Sequence, residues 1–386
     1  MISSRECCPC GSGLLYKECC KHKKPRVFHT QGEALNFLGK MMRKSRIKVC
    51  LIKGCSAKPR EIIGAHALQE NRLLNKIAVD NEVLAQNFKK EPVMLEIKKG
   101  SPEPFYFLEK MKIKDVTIAT CFCKNHDNEV FEKIEKAQYP LTNLNDEQKF
   151  LFAYKTYSFE YYNELVLNKY HANVFKEAPQ FTKDKGIVMQ YRNNTLKLQE
   201  LQCYKDFFDK ALENKDYSGL ETITVELPYR IQFANYMMFA PPYDINGKKV
   251  KPIEKKSKKM KYVFFTAIPE ETKSYLLISA LKEDMSVYGE YFEQIKKAPQ
   301  GLIKYYINIF VPLYSQNMII SPLLYNMWAE KAQLGIQYAV AETRNPSIIK
   351  VVQFGLRNLA KKREKEEVEI DSDAVAFNSF IPYIDK

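Results

Sequence analysis

The sequence predicts an α+β fold, and three observations lead there. Seven of the ten cysteines fall within the first sixty residues and come in close pairs, the pattern of small metal-held modules. Phe150, Tyr154, Tyr157, Tyr161 and Leu165 recur at helical spacing, which predicts a helix with a buried aromatic face. After residue 178, helix-like and strand-like runs alternate, punctuated by Pro and Gly. With 386 residues, 45% hydrophobic and 12% aromatic, the chain can fill two or three domains and is not globally disordered.

In chain order, residues 1–28 read as a small cysteine module ending in a basic linker, with Pro25 as a stop. A helix is expected over 31–46, with Ala34, Leu35, Leu38 and Met42 as its apolar stripe. Residues 29–140 hold a cysteine pair, an expected helix over 67–78, strands over 92–97 and 105–108, and a Cys/His pair opening a helix towards Ile134. That order suits a treble-clef-like finger with a long insertion. Residues 141–386 read as a mixed α+β domain. Asn145 and Asp146 start its first helix, and 196–212 is a second. Strands are expected over 221–227, 230–239, 262–267 and 275–280, with Asn246 and Gly247 in a turn. Glu270 and Glu271 read as a solvated acidic pair, the lysine-rich run 248–261 as a solvated loop, and the mixed-charge run 361–373 as a solvated tail.

Charge is concentrated at the N-terminus. The formal net charge is +14, and residues 1–60 carry fourteen Lys and Arg against three Glu, so +11 of it lies there. Such a patch favours an acidic partner, DNA or RNA or a ribosome, over an acidic small molecule. The absence of an apolar leader and the pairing of the cysteines point to a reducing, cytoplasmic setting. Residues 305–329 lack formal charge over a length that permits a membrane crossing. Pro312, Pro322, Asn308, Gln316, Asn317 and Asn326 make that stretch a buried core segment instead, so no membrane partner is expected. The oligomeric state is not legible.

The run from Cys8 to Cys20 sets Cys8 and Cys10 one residue apart, follows them with Gly11 and Gly13, and closes on adjacent Cys19 and Cys20. Four thiolates satisfy tetrahedral Zn(II), and the glycines let the backbone fold back so that the pairs converge. Cys7 is supernumerary and His22 is an alternative ligand. The stretch resembles the SEC-C motif, the zinc tail of the SecA translocation motor, including Tyr16, Lys17 and the Cys-Cys ending. The resemblance implies a docking module for ribosomes, nucleic acid or protein, without catalysis.

A second Zn(II) site is expected from Cys50, Cys55, Cys123 and His126, because a knuckle turn through Gly54 and two ligands on a helix start are how treble-clef sites are built. Cys121 is a competing choice for Cys123, and Cys203 reads as a core residue. His66 follows the knuckle. The order Cys-Cys, His, then Cys123, His126 and Asp127 is similar to the zinc-stabilised branch of HNH endonucleases. That resemblance implies His66 as general base, with Asp127 or Asn128 beside a catalytic Mg(II) or Mn(II), in a protein of bacterial phage defence. The sequence departs from the family at Ala65, where an acidic residue is customary, and in the fifty-six residues between His66 and Cys123. His66 read on its own is equally a zinc ligand or a hydrogen-bonded structural histidine, while His29 and His171 belong to no constellation.

No phosphate-binding glycine loop, nucleophile elbow or dinucleotide fingerprint occurs. Two classes of function remain: a zinc-containing nucleic-acid-binding protein that is an HNH-like metal-dependent endonuclease in its sharpest form, or a non-catalytic adaptor docking on a ribosome or protein.

Overall fold

A computed structural model of the chain describes residues 2–68, 72–87, 90, 93–98, 101–136, 138–141, 143–253, 259–315, 317–341 and 378–382. The elements run α1 (Gln31–Lys44), β1 (Ile62–His66), β2 (Glu82–Gln86), β3 (Val93–Lys98), β4 (Ser101–Phe105), β5 (Leu108–Lys112), β6 (Ile118–Cys123) and α2 (Lys124–Glu135). Two long helices follow, α3 (Asp146–Glu177) and α4 (Lys185–Asn214), then β7 (Leu220–Leu227), β8 (Phe233–Phe239), β9 (Val263–Pro269) and β10 (Ser274–Leu281). The chain continues through α5 (Met285–Lys297), α6 (Gln300–Tyr314), β11 (Ile319–Ile320), α7 (Pro322–Met327) and α8 (Glu330–Ala341). The α+β class expected from the sequence is the class observed. Two compact units emerge, one of Met1–Gly64, Thr120–Lys124 and Ser158–Lys210, the other of Ala65–Ala119, Asn125–Tyr157 and Ala211–Lys386.

In the first unit, Thr30 caps α1 by accepting the Glu33 amide, so the helix starts where the sequence has its first good N-cap. Its buried face differs from the expected stripe. Phe37 and Met41 are buried against Val174 and Ala178, while Leu35 and Met42 stay exposed. The aromatic cluster decides the rotation, since Phe37 sits 5.3 Å from Phe28 and stacks 6.4 Å from Phe181, burying more surface than a leucine would. The Arg26 guanidinium covers the Phe37 ring at 4.8 Å. On α4, Leu201, Tyr204 and Phe208 turn inward, which leaves Cys203 exposed and corrects its reading as a core residue.

The second unit is organised by a seven-stranded sheet, order β5-β2-β11-β8-β9-β10-β7, with every pairing antiparallel. The two-residue β11 joins its halves, Ile320 facing Leu84 on one side and Phe233 on the other. Strands β8, β9 and β10 are buried at every position, as expected of strands covered on both faces. Phe265 and Ala267 pack with Tyr288, Phe292, Ile303 and Phe310 of α5 and α6. Between them Thr266 turns the opposite way and meets Thr156 of α3, hydroxyl to hydroxyl, at 3.2 Å. Phe150, Tyr154 and Tyr157 of α3 are fully buried, as their spacing predicted, while Tyr161 and Leu165 are only partly buried.

The uncharged stretch 305–329 forms most of α6, then β11 and α7, and its side chains are largely buried. Among the described residues no helix is long and apolar enough to cross a membrane. The helix expected over 67–78 does not form among its described residues, which hold a single 3-10 turn at Leu74–Lys76. Tertiary contacts override propensity there. Arg72 is buried, pairs with Glu270 at 3.0 Å and donates to the carbonyls of Lys136 and Tyr139, pulling the segment away from helical dihedrals. Glu270 is therefore a partner of a buried cation, unlike the solvated pair expected, whereas Glu271 keeps most of its exposure while meeting Lys76 and Arg230. The strand expected over 105–108 is divided, β4 ending at Phe105 and β5 beginning at Leu108. The run 361–373 lies outside the described residues, as does 254–258 of the lysine-rich loop.

Candidate metal centres

The N-terminal loop closes on itself before it meets anything else. Gly11 and Gly13 adopt φ of +75° and +77°, the left-handed conformation glycine accepts without strain. The Cys8 amide donates to Leu14 O at 2.7 Å and the Gly11 amide to Cys8 O at 3.2 Å. These turns bring the sulfurs of Cys8, Cys10, Cys19 and Cys20 within 4.8 Å of one another. Cys10 and Cys19 Sγ lie 3.5 Å apart, Cys19 and Cys20 Sγ 3.9 Å. Cys7 is exposed, and neither it nor His22 joins the group. Burial pushes the Cys8 and Cys20 thiols up. Burial acts the same way on Cys10, but hydrogen bonds with Ser12 and Cys8 outweigh it and bring that thiol down to about 6.

The loop is not left bare. Ile2, Cys8, Tyr16 and Cys20 are buried in one cluster with Phe175 and Val188. Cys20 Sγ lies 3.5 Å from Phe175 O, and Glu6 pairs with Arg192 at 3.1 Å. Sequence reading missed Phe175, which supports this centre with its buried ring and its backbone oxygen, and Thr182, whose hydroxyl lies 2.8 Å from that of Tyr16.

The second group joins Cys50, Cys55, Cys123 and His126, again with all ligand atoms within 4.8 Å. Gly54, at φ +75°, makes the knuckle turn, and the Cys55 amide donates to Ile52 O at 3.2 Å. The knuckle is laid against β6 by the amides of Val49 and Leu51, which donate to Thr120 O and Cys121 O at 3.1 and 2.9 Å. Cys123 ends β6, and α2 begins at the next residue. Cys55 and Cys123 Sγ are 4.0 Å apart, while burial pushes the Cys50 thiol up to about 12. Cys121 is fully buried and stands outside the group, so the geometry takes Cys123 over its competitor.

Both groups fit zinc. A Zn–S bond of about 2.3 Å at the tetrahedral angle separates sulfurs by about 3.8 Å, close to the spacings above. Four ligands in each group complete a structural shell, and such sites contribute folding energy while deprotonating their thiols.

His66 ends β1, is half-buried, and lies outside both ligand groups. Its Nδ1 is 3.1 Å from Val116 O, and the adjacent Ala67 amide donates to Thr117 O at 2.9 Å. A carbonyl can only accept, so Nδ1 is the donor in this contact. Asp127 sits in the first turn of α2 with Oδ1 buried and without a hydrogen-bond partner. Burial pushes its carboxyl up to about 6, Lys155 opposing the shift and Glu135 adding to it. Asn128 is exposed. Among the described residues no third group of candidate ligands gathers around His66 or Asp127.

No family description, no curated sequence and no solved structure matches the chain. What the molecule defines by itself is the class, an α+β protein with two cysteine-rich centres suited to zinc.

Proposed function

We propose that this is a zinc-containing nucleic-acid-binding protein, with 1–28 as a SEC-C-type knuckle, 29–140 as an HNH-like finger and 141–386 as a domain that supports recognition. The observation that carries the reading is a set of uncommitted cations. Lys40, Arg43, Lys44, Arg46, Lys48, Lys58 and Arg60 are all exposed, and none pairs with a carboxylate among the described residues. The few acids nearby are used elsewhere: Glu6 on Arg192, Glu18 on Lys17, Glu33 on the His29 amide. A folded chain that leaves so many charges unpaired on one stretch carries a field suited to a polyphosphate backbone.

The sharper form is an HNH-like endonuclease with His66 as general base. Its support is the contact of Nδ1 with Val116 O, which orients the ring, together with the order of knuckle, strand β1, strand β6 and helix α2. A Mg(II) or Mn(II) ion at such a site would supply charge stabilisation for the phosphodiester, and Asp127 is the carboxylate that the HNH resemblance would set beside it.

A second reading, a non-catalytic adaptor for a ribosome or protein, has its own observation. Both ligand groups are complete with four donors, and closed sites of this kind are structural. The test is incubation of the zinc-loaded chain with single- and double-stranded DNA and RNA at low salt, with and without added Mg(II) or Mn(II). Binding with ion-dependent cleavage supports the nuclease, binding without cleavage supports the adaptor, and no binding to any of the four removes the nucleic-acid reading.

A further inference from the structure

Residues 378–382 form neither helix nor strand, yet they are held in the second unit by contacts to buried side chains. Phe380 is 3% exposed, its ring edge-on to Phe233 with centroids 5.3 Å apart. Trp328 Nε1 donates to Asn378 O at 3.0 Å, and the Ser379 amide donates to Asn308 Oδ1 at 3.0 Å. Gln232 Nε2 donates to both Ile381 O and Pro382 O, at 3.3 and 3.2 Å. Gln232, Asn308 and Trp328 are 2%, 1% and 6% exposed, so each spends a buried polar group on this segment's main chain. Asn378 Oδ1 accepts the Phe380 amide at 2.9 Å, a local turn that presents the phenyl ring.

We infer that Gln232, Phe233, Asn308 and Trp328 line a peptide-recognition groove, and that the chain's own residues 378–382 are its resident ligand. The chemistry is that of a peptide site. Side-chain amides and an indole read backbone carbonyls and an amide, independent of sequence, and one apolar slot reads an aromatic side chain. Nothing in those contacts requires the covalent link to the rest of the chain. The ligand class is a short peptide that turns at an Asn and presents a Phe two residues later. Because the segment belongs to the same molecule as the groove, it competes there with free peptides as an intramolecular ligand.

The test uses the full chain with a protease site inserted between Ala341 and Asn378, cut after folding and zinc loading. Trp328 is the only tryptophan, and its indole N–H contacts the segment, so its emission reports release directly. A labelled peptide of residues 376–386 should bind the cut protein saturably, and the uncut protein at least tenfold more weakly. A Phe380→Ala peptide should bind at least tenfold more weakly than the parent. A Ser379→Ala peptide should bind no worse, because Ser379 Oγ is buried without a hydrogen-bond partner. Unfolding of the cut protein once the segment leaves, or a segment that never exchanges, would show that 378–382 is part of the core and overturn the groove. Equal binding of the Phe380→Ala peptide would overturn it as well.

Discussion

The hydroxyl of Tyr16 donates to Thr182 Oγ1 across 2.8 Å and 166 residues of sequence. The direction follows from Thr182, whose own proton goes to Pro179 O at 2.6 Å, leaving its oxygen to accept. The first cysteine centre is thereby tied to the turn after α3.

Tyr16→Phe should leave zinc bound and lower the stability of the first unit by about 1 kcal/mol, the net worth of one buried hydrogen bond. Cys10→Ser should cost more, because loss of the ion frees the loop and uncovers Phe175 and Val188. Thermal unfolding with zinc determination separates the two. A Cys10→Ser protein unfolding as wild type would mean the loop contributes nothing beyond its own closure.

Two zinc ions per chain are expected, and their distribution is testable ligand by ligand. Cys123→Ser should remove one, while Cys121→Ala should keep both, since Cys121 is buried outside the ligand group. Elemental analysis of the purified variants decides. Zinc lost from Cys121→Ala alone would reverse the assignment.

His66→Ala should retain both zinc ions, since the ring stands outside both groups and its Nδ1 meets a backbone carbonyl. If the protein cleaves nucleic acid, the same change should cut the rate by roughly 10² or more. Unchanged cleavage would exclude His66 as the base.

Replacing Lys40, Arg43, Lys44 and Arg46 together by Gln should weaken nucleic-acid binding and flatten its salt dependence. Each lost phosphate contact lowers the slope of log affinity against log salt by about 0.9 on duplex DNA. Titrations across a salt series measure it, and an unchanged slope would move the contact away from α1.

His171 predicts a pH dependence. It is fully buried, neither ring nitrogen makes a hydrogen bond of normal geometry, and burial pushes its pKa from 6.5 down to about 4 despite Leu167 O and Asn194. Between those values the unfolded chain binds the proton and the folded chain does not. Stability is therefore complete above about pH 6.5 and falls as the pH drops towards 4, by at most on the order of 3 kcal/mol. Urea unfolding at pH 7 and pH 4.5 should show the loss in wild type and a smaller one in His171→Phe.

Local chemistry made much of this protein legible. Thiols two, nine and one positions apart around two glycines can converge locally, so Cys8, Cys10, Cys19 and Cys20 were readable as a group. Strands β7, β9 and β10 carry enough β-branched and aromatic residues to announce themselves, as does the aromatic face of α3 from Phe150 to Tyr157. Cys123 over Cys121 was a different matter, because alternation along a strand aims both the same way, and only the end of β6 and the turn into α2 separate them. The face α1 buries, the unwound segment behind Arg72 and the seat of Phe380 depend on partners far along the chain, such as Phe181, Glu270 and Phe233. Tight turns and the closure of the first cysteine group are settled over a few residues by bond geometry, and so the sequence alone determined them. Which surface each element covers depends on the largest apolar area and best-satisfied polar groups available in space, and that only the tertiary structure decided.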